Sequence, residues 1–138
     1  LSNFWGAVQT TLLFIFYGLG EKLMKQIEIN GKKHDLHFGI DFIREMDKRY
    51  EVNGNGVSFG MGINSAVVYL KDNNPVILED IILAATHTAK TIPSVADIEK
   101  WLEEQEDLDK VFDDFLSALK TAPLTKSKVA KVLKAMTA

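Results

Sequence analysis

Cysteine is absent from this chain of 138 residues, which excludes disulfides, thiolate metal sites and a cysteine nucleophile. An excess of positive charge is absent as well. The formal net charge is -3, so we expect no basic face of the kind that neutralises nucleic-acid phosphates. The length suffices for one globular domain with one core, but not for two. The sequence therefore predicts a single small domain that binds no nucleic acid.

Patterns that would indicate catalysis or a cofactor are also absent. No carboxylate pair lies in an apolar context that would tune it for acid–base work, and no serine lies in a nucleophile-elbow pattern. In the glycine-rich segment 51–62, Phe59 stands where a dinucleotide-binding loop needs its third glycine, so a flexible or hairpin-forming loop is predicted. His34 and His37 lie three apart on a predicted strand and so point to opposite faces, which argues against a shared metal ion. We predict no enzymatic activity, no metal and no other cofactor.

The start of the chain differs in character from the rest. The stretch from Phe4 to Leu19 carries no charged residue, as is typical of a membrane anchor or a secretory signal. Its 16 residues are fewer than the roughly 20 that a helix needs to cross a bilayer. No basic segment precedes it and no cleavage pattern follows it. The pattern therefore fits neither a signal nor an anchor well.

A third interpretation fits the start of the chain better. Residues 20–23 could be encoded by a purine-rich stretch that resembles a ribosome-binding site, and Met24 follows at once. We predict that residues 1–23 are translated upstream sequence and that residues 24–138 form the functional domain. A membrane anchor formed by residues 4–19 is the alternative.

Residues 25–38 are predicted to form a β-hairpin. Apolar and polar residues alternate on both sides of Asn30-Gly31, the strongest two-residue turn signal. A two-residue loop pairs Ile27 with His34. This register places four apolar side chains on one face, which helices must cover because an isolated hairpin is barely stable. The four are Ile27, Ile29, Leu36 and Phe38.

Helical spacing of apolar residues dominates the remaining sequence. The first helix is predicted over residues 41–50 and the second from about residue 63. The broadest apolar face predicts a central helix that carries Ile77, Leu78, Ile81, Ile82 and Ala85. The predicted N-caps of the last four helices are Asn74, Ser94, Asp107 and Thr125. The predicted fold is α+β, mainly α, with an N-terminal β-hairpin packed on a bundle of about five to six short helices.

Charge is segregated in the last third of the chain. Nine carboxylates and two lysines lie between Asp97 and Asp114, whereas five lysines and no acid lie between Lys120 and Ala138. One interpretation is that both stretches are solvated helix faces. The other is that they form two oppositely charged surfaces, used for head-to-tail association or for binding a charged partner. The candidate partner-binding residues are Trp101, Glu103, Glu104, Asp107, Asp113, Asp114, Lys126, Lys128, Lys131 and Lys134.

Several short sequence segments within residues 24–138 resemble those of one protein family and occur in the same order. They are Ile29-Asn30-Gly31-Lys32, the stretch from Leu36 to Asp47, Gly60-Met61-Gly62, Asn74-Pro75-Val76, the stretch from Ala84 to Thr88, and Ser117-Ala118-Leu119-Lys120. Together they resemble the tail-assembly chaperones of long-tailed phages and prophages of Gram-positive bacteria. None of these segments is a catalytic motif, so the resemblance depends on their order.

The resemblance implies an assembly factor of the host bacterial cytoplasm that is absent from the finished virion. Such a chaperone coats the tape-measure protein, keeps it soluble and recruits tail-tube subunits to it. Self-association or a partner helix would add buried surface, and multivalent coating of a long client would raise avidity. Residues 24–138 would contact no membrane. The alternatives are a small membrane-anchored protein, held by residues 4–19, and a structural head–tail connector component.

Overall fold

The structure is a computed structural model that describes residues 24–137. The interpretations of residues 1–23 concern residues outside this range. Within it, four strands and six helices confirm the predicted α+β, mainly α class. The elements in chain order are β1 (Met24–Ile29), β2 (Lys32–His37), α1 (Ile40–Arg49), β3 (Glu51–Gly54), β4 (Val57–Gly60), α2 (Gly62–Lys71), α3 (Val76–Ala85), α4 (Val95–Glu103), α5 (Leu108–Thr121) and α6 (Lys126–Met136).

The first hairpin, β1–β2, has the predicted register. Ile27 lies opposite His34, and both turn residues, Asn30 and Gly31, have positive φ as a tight hairpin turn requires. The predicted apolar face is buried against α3 and α4. His34 is buried on the same face, with Nδ1 3.1 Å from the Thr91 carbonyl oxygen. His37 is exposed on the other face, as the alternation of a strand requires.

The central helix of the bundle is α3, as predicted. It contacts β2, α1, α2 and α4, while α2 also packs against α5 and α6. The five side chains that predicted this role are all at most 2% exposed, namely Ile77, Leu78, Ile81, Ile82 and Ala85. The first hairpin is tied to the bundle by an edge-to-face contact between Phe38 and Phe42, whose ring centroids lie 5.0 Å apart.

Two of the predicted helix caps form as expected. The Ser94 hydroxyl oxygen accepts a hydrogen bond from the Asp97 N–H at the start of α4. The Asp107 carboxylate accepts one from the Lys110 N–H at the start of α5. Each side chain satisfies a backbone donor that the first helical turn leaves without a partner.

The other two predicted caps need correction. Pro75, not Asn74, occupies the N-cap position of α3, although the Asn74 side chain still accepts a hydrogen bond from the Val76 N–H. Thr125 is the N-cap residue of α6 but makes no side-chain cap bond. Its buried hydroxyl donates to the Leu119 carbonyl, 2.6 Å away, and so ties the start of α6 to α5. The hydroxyl that the local sequence assigned to the cap is therefore used in a tertiary contact.

Candidate partner-binding surfaces

The second hairpin, β3–β4, exposes an apolar face. All ten residues from Glu51 to Gly60 are exposed. Val52 lies opposite Phe59, and Val57 lies opposite Gly54, so the three apolar side chains share one face of the ribbon. Val52, Val57 and Phe59 are 53%, 51% and 53% exposed. These three residues form the hairpin apolar face, which nothing else in the described chain covers.

The base of this hairpin is fixed to the bundle by polar contacts. The Tyr50 hydroxyl donates to Oδ2 of Asp80 in α3, and Arg49 forms an ion pair with Oδ1 of the same carboxylate at 3.0 Å. Burial, and then the hydrogen bond to Asp80, raise the pKa of Tyr50 above its ordinary value. Across the base, the Met61 N–H donates to the Tyr50 carbonyl at 2.7 Å. These contacts hold the exposed ribbon at a defined place on the body.

Two glycines, Gly60 at the end of β4 and Gly62 at the start of α2, let the chain approach α1 closely. A Cβ atom added at Gly62 would lie 2.5 Å from the Met46 Cβ and 2.6 Å from the Met46 carbonyl carbon. One added at Gly60 would lie 2.4 Å from the Asp47 Cγ. The same approach lets the Asp47 carboxylate accept a hydrogen bond from the Gly62 N–H at 2.9 Å. The segment Gly60-Met61-Gly62 therefore has a packing role.

An acid-rimmed groove of 470 Å³ lies between α4, α5 and β1. Its apolar lining consists of Ile27, Trp101, Val111 and Phe115. Its rim carries Glu104, Glu106, Asp107 and Asp114, with one cation, Lys110. Because Lys110 is paired with Asp114 at 3.0 Å, the groove presents net negative charge around a partly buried tryptophan.

A lysine-rimmed groove of 330 Å³ lies between α2 and α6. Its apolar side chains are Val68 from α2 and Val132, Ala135 and Met136 from α6. Val68 and Met136 are 42% and 45% exposed, so the apolar surface is open to a partner. Lys128 and Lys131 supply the charge.

The structure brings together some of the predicted partner-binding residues and separates others. Four lie on the acid-rimmed groove, namely Trp101, Glu104, Asp107 and Asp114. Two, Lys128 and Lys131, lie on the lysine-rimmed groove. The remaining four are exposed but line neither groove, namely Glu103, Asp113, Lys126 and Lys134. Lys126 and Lys134 differ from the groove lysines because the 3.6-residue helical period turns them toward another side of α6.

Comparison with known proteins identifies the family. The sequence profile described as "Phage tail assembly chaperone protein, TAC" matches residues 26–134. The chain belongs to the phage tail assembly chaperone family. No curated protein and no solved structure gave a significant match. The matched range contains the second hairpin and the acid-rimmed groove, whereas Ala135 and Met136 of the lysine-rimmed groove lie just beyond it.

Sequence reasoning missed the hairpin apolar face of this tail assembly chaperone. Segment 51–62 was predicted as a flexible or hairpin-forming loop, and the structure shows the hairpin. The sequence does contain a signal for its apolar face. Val52, Val57 and Phe59 alternate with polar residues and glycines on the two sides of the Asn55-Gly56 turn, and the buried residues of β1–β2 show the same pattern around their own turn. Alternation alone cannot distinguish a covered face from an exposed one.

The described part of this tail assembly chaperone contains no cluster of three or more side chains suited to hold a metal ion. Among residues 24–137, no helix has both the length and the apolar character that crossing a membrane requires.

Proposed function

We propose that this chain acts in the host bacterial cytoplasm as a non-catalytic chaperone that binds the tape-measure protein, keeps it soluble and recruits tail-tube subunits. Membership of the tail assembly chaperone family supports the general role. The exposed surfaces support a protein that contacts several partners, because each surface differs in charge and shape. The client contacts themselves are the subject of the experiments below.

The observation that carries this proposal is the hairpin apolar face. Three side chains, Val52, Val57 and Phe59, are more than half exposed on a ribbon of two short strands. Two strands alone are marginally stable, and an apolar face gains free energy when a partner covers it. A long helical client with apolar stripes, such as a tape-measure protein, has the matching chemistry. Covering those stripes would remove the surface through which the client aggregates.

Replacing Val52, Val57 and Phe59 together by threonine should abolish client solubilisation while leaving the domain folded. Threonine favours strands, so the ribbon should persist without its apolar face. The measurement is co-expression with the tape-measure protein, followed by its soluble fraction and its co-purification. The matched control replaces Asn53 and Ser58, on the opposite face of the ribbon, by threonine and should behave like the wild type.

Two outcomes would count against the proposal. If the tape-measure protein is equally soluble without the chain and does not co-purify with it, the chaperone function is wrong. If the triple variant solubilises the client as well as the wild type does, the hairpin apolar face is not the contact.

We also propose that the acid-rimmed groove binds a basic surface of a client or a tail-tube subunit. Trp101 has the size and rigidity of a binding hot spot, and the surrounding carboxylates would favour a cationic partner. Reversing Glu104 and Glu106 to lysine should weaken co-purification of that partner roughly tenfold, because exposed charge pairs contribute modestly. Reversing Glu103 and Asp113, which lie outside the groove, is the control with the same change in net charge. Equal losses from both pairs would assign the effect to net charge and not to the groove.

A further inference from the structure

The lysine-rimmed groove is an open, largely apolar surface between two helices that pack against each other. It runs between α2 and α6, and Val68 and Met136 are both more than two-fifths exposed along it. Side-chain ridges of a third helix pack into a groove of this kind. The 11 residues of α6 span about 16 Å, so the groove suits a helix of roughly three turns.

The lysines of α6 have no ionic partner in the described chain. Outside α6, Lys48 pairs with Glu45, Lys100 with Glu104 and Lys110 with Asp114, whereas other exposed lysines, such as Lys71 and Lys120, form no ion pair among the described residues. No ion pair among residues 24–137 involves the four lysines of α6, namely Lys126, Lys128, Lys131 and Lys134. Two of them flank the apolar groove. This surface therefore places positive charge beside open apolar side chains, and a partner that carries carboxylates would complement it.

We infer that the lysine-rimmed groove binds an amphipathic helix of a client protein whose apolar stripe is flanked by carboxylates. The apolar stripe covers Val68, Val132 and Met136, and the flanking carboxylates pair with Lys128 and Lys131. This inference rests on the proposed function, since the helix belongs to a client of the chaperone. Beyond that function, it specifies the client segment that the groove recognises. This segment is an acidic helix with apolar residues spaced three and four positions apart.

A second copy of the chain is the competing occupant, because it also carries acidic side chains. Its acidic residues around Trp101, however, border a groove of 470 Å³. Two concave surfaces enclose little of each other, whereas a single helix is convex and fits between α2 and α6. The shape of the groove therefore favours a helix over the acid-rimmed groove of another copy.

The test uses two labelled synthetic peptides of roughly four turns with the same apolar stripe. One carries glutamate at the flanking positions and the other carries lysine. Fluorescence anisotropy with the full chain should show that the acidic peptide binds and that added salt weakens it, whereas the basic peptide does not bind. The variant Lys128→Glu/Lys131→Glu should bind the acidic peptide at least roughly tenfold more weakly. The control Lys126→Glu/Lys134→Glu has the same net charge and should retain the wild-type affinity.

The outcomes separate this inference from the proposed function. Equal weakening by both double variants, or equal binding of both peptides, would overturn the inference, because the groove would then not be selective. Loss of self-association in the Lys128→Glu/Lys131→Glu variant, measured by sedimentation, without any peptide binding to the wild type would assign the groove to a second copy and also overturn it. Selective peptide binding supports the groove whether or not the tape-measure protein co-purifies, whereas failed co-purification counts only against the proposed function.

Discussion

Replacing Gly62 by alanine should lower the free energy of unfolding by about 3 kcal/mol, because an overpacked site costs about 1–3 kcal/mol and a lost hydrogen bond adds about 1 kcal/mol. The new Cβ would lie 2.5 Å from the Met46 Cβ, 2.6 Å from the Met46 carbonyl carbon and 2.7 Å from the Asp47 nitrogen. Two of these three atoms belong to the backbone of α1, so no side-chain rotation relieves the contact. Separating α1 from α2 would also break the hydrogen bond from the Gly62 N–H to Asp47. Urea denaturation monitored by circular dichroism measures the change.

The matched control is Gly54→Ala on β3. No heavy atom lies within 4 Å of a Cβ built at this position. The control should therefore change the free energy of unfolding by no more than about 0.5 kcal/mol, as is usual for surface substitutions. If Gly62→Ala is equally harmless, then α1 and α2 do not pack as closely as described, and the close approach is not the reason for glycine at this position.

Replacing Phe42 by alanine should lower the free energy of unfolding by about 4 kcal/mol, the middle of the range for a buried phenylalanine. Phe42 is 1% exposed, and its ring stands at 89° to that of Phe38. The substitution opens a cavity and removes the edge-to-face contact that joins the first hairpin to α1. Phe42→Leu keeps most of the volume and should cost only about 1 kcal/mol. Thermal and urea unfolding of both variants test the difference.

Phe59→Ala is the informative comparison, because it makes the same chemical change on the hairpin apolar face. Phe59 is 53% exposed, so its loss should cost no more than about 0.5 kcal/mol of stability. It should nevertheless weaken client binding. A stability loss as large as that of Phe42→Ala would show that the second hairpin is packed against the body, and the proposal for this face would then fail.

Local signals in the sequence were sufficient for the first hairpin and the central helix. The Asn30-Gly31 turn determined the register, and a shift of one residue would have placed Ile27 and Ile29 on the solvent side. The five apolar positions of α3 had the helical period and are buried. In both places, the local pattern and the tertiary packing select the same structure.

Properties that depend on tertiary distance could not be predicted from the sequence. Thr125 has the sequence context of an N-cap, but only the approach of α5 determines that its hydroxyl donates to Leu119. The segregation of charge was visible in the sequence, yet it did not show that Lys128 lines a groove while Lys126 does not. The helical period places these lysines on different sides of α6, but only the packing of α6 against α2 determines which side borders a groove. The candidate site was therefore predicted as charged stretches, and the structure resolves it into two separate grooves.

The second hairpin has a consequence for how a client could be released. Its strands have four residues each and pair only with each other in the described chain. Edges this short give an incoming strand few backbone hydrogen bonds, which is one way in which proteins avoid cross-β growth. A client on this ribbon would therefore be bound through side-chain contacts and would not add a strand to the sheet. In the proposed function, incoming tail-tube subunits would then displace the ribbon one contact at a time, without melting any strand.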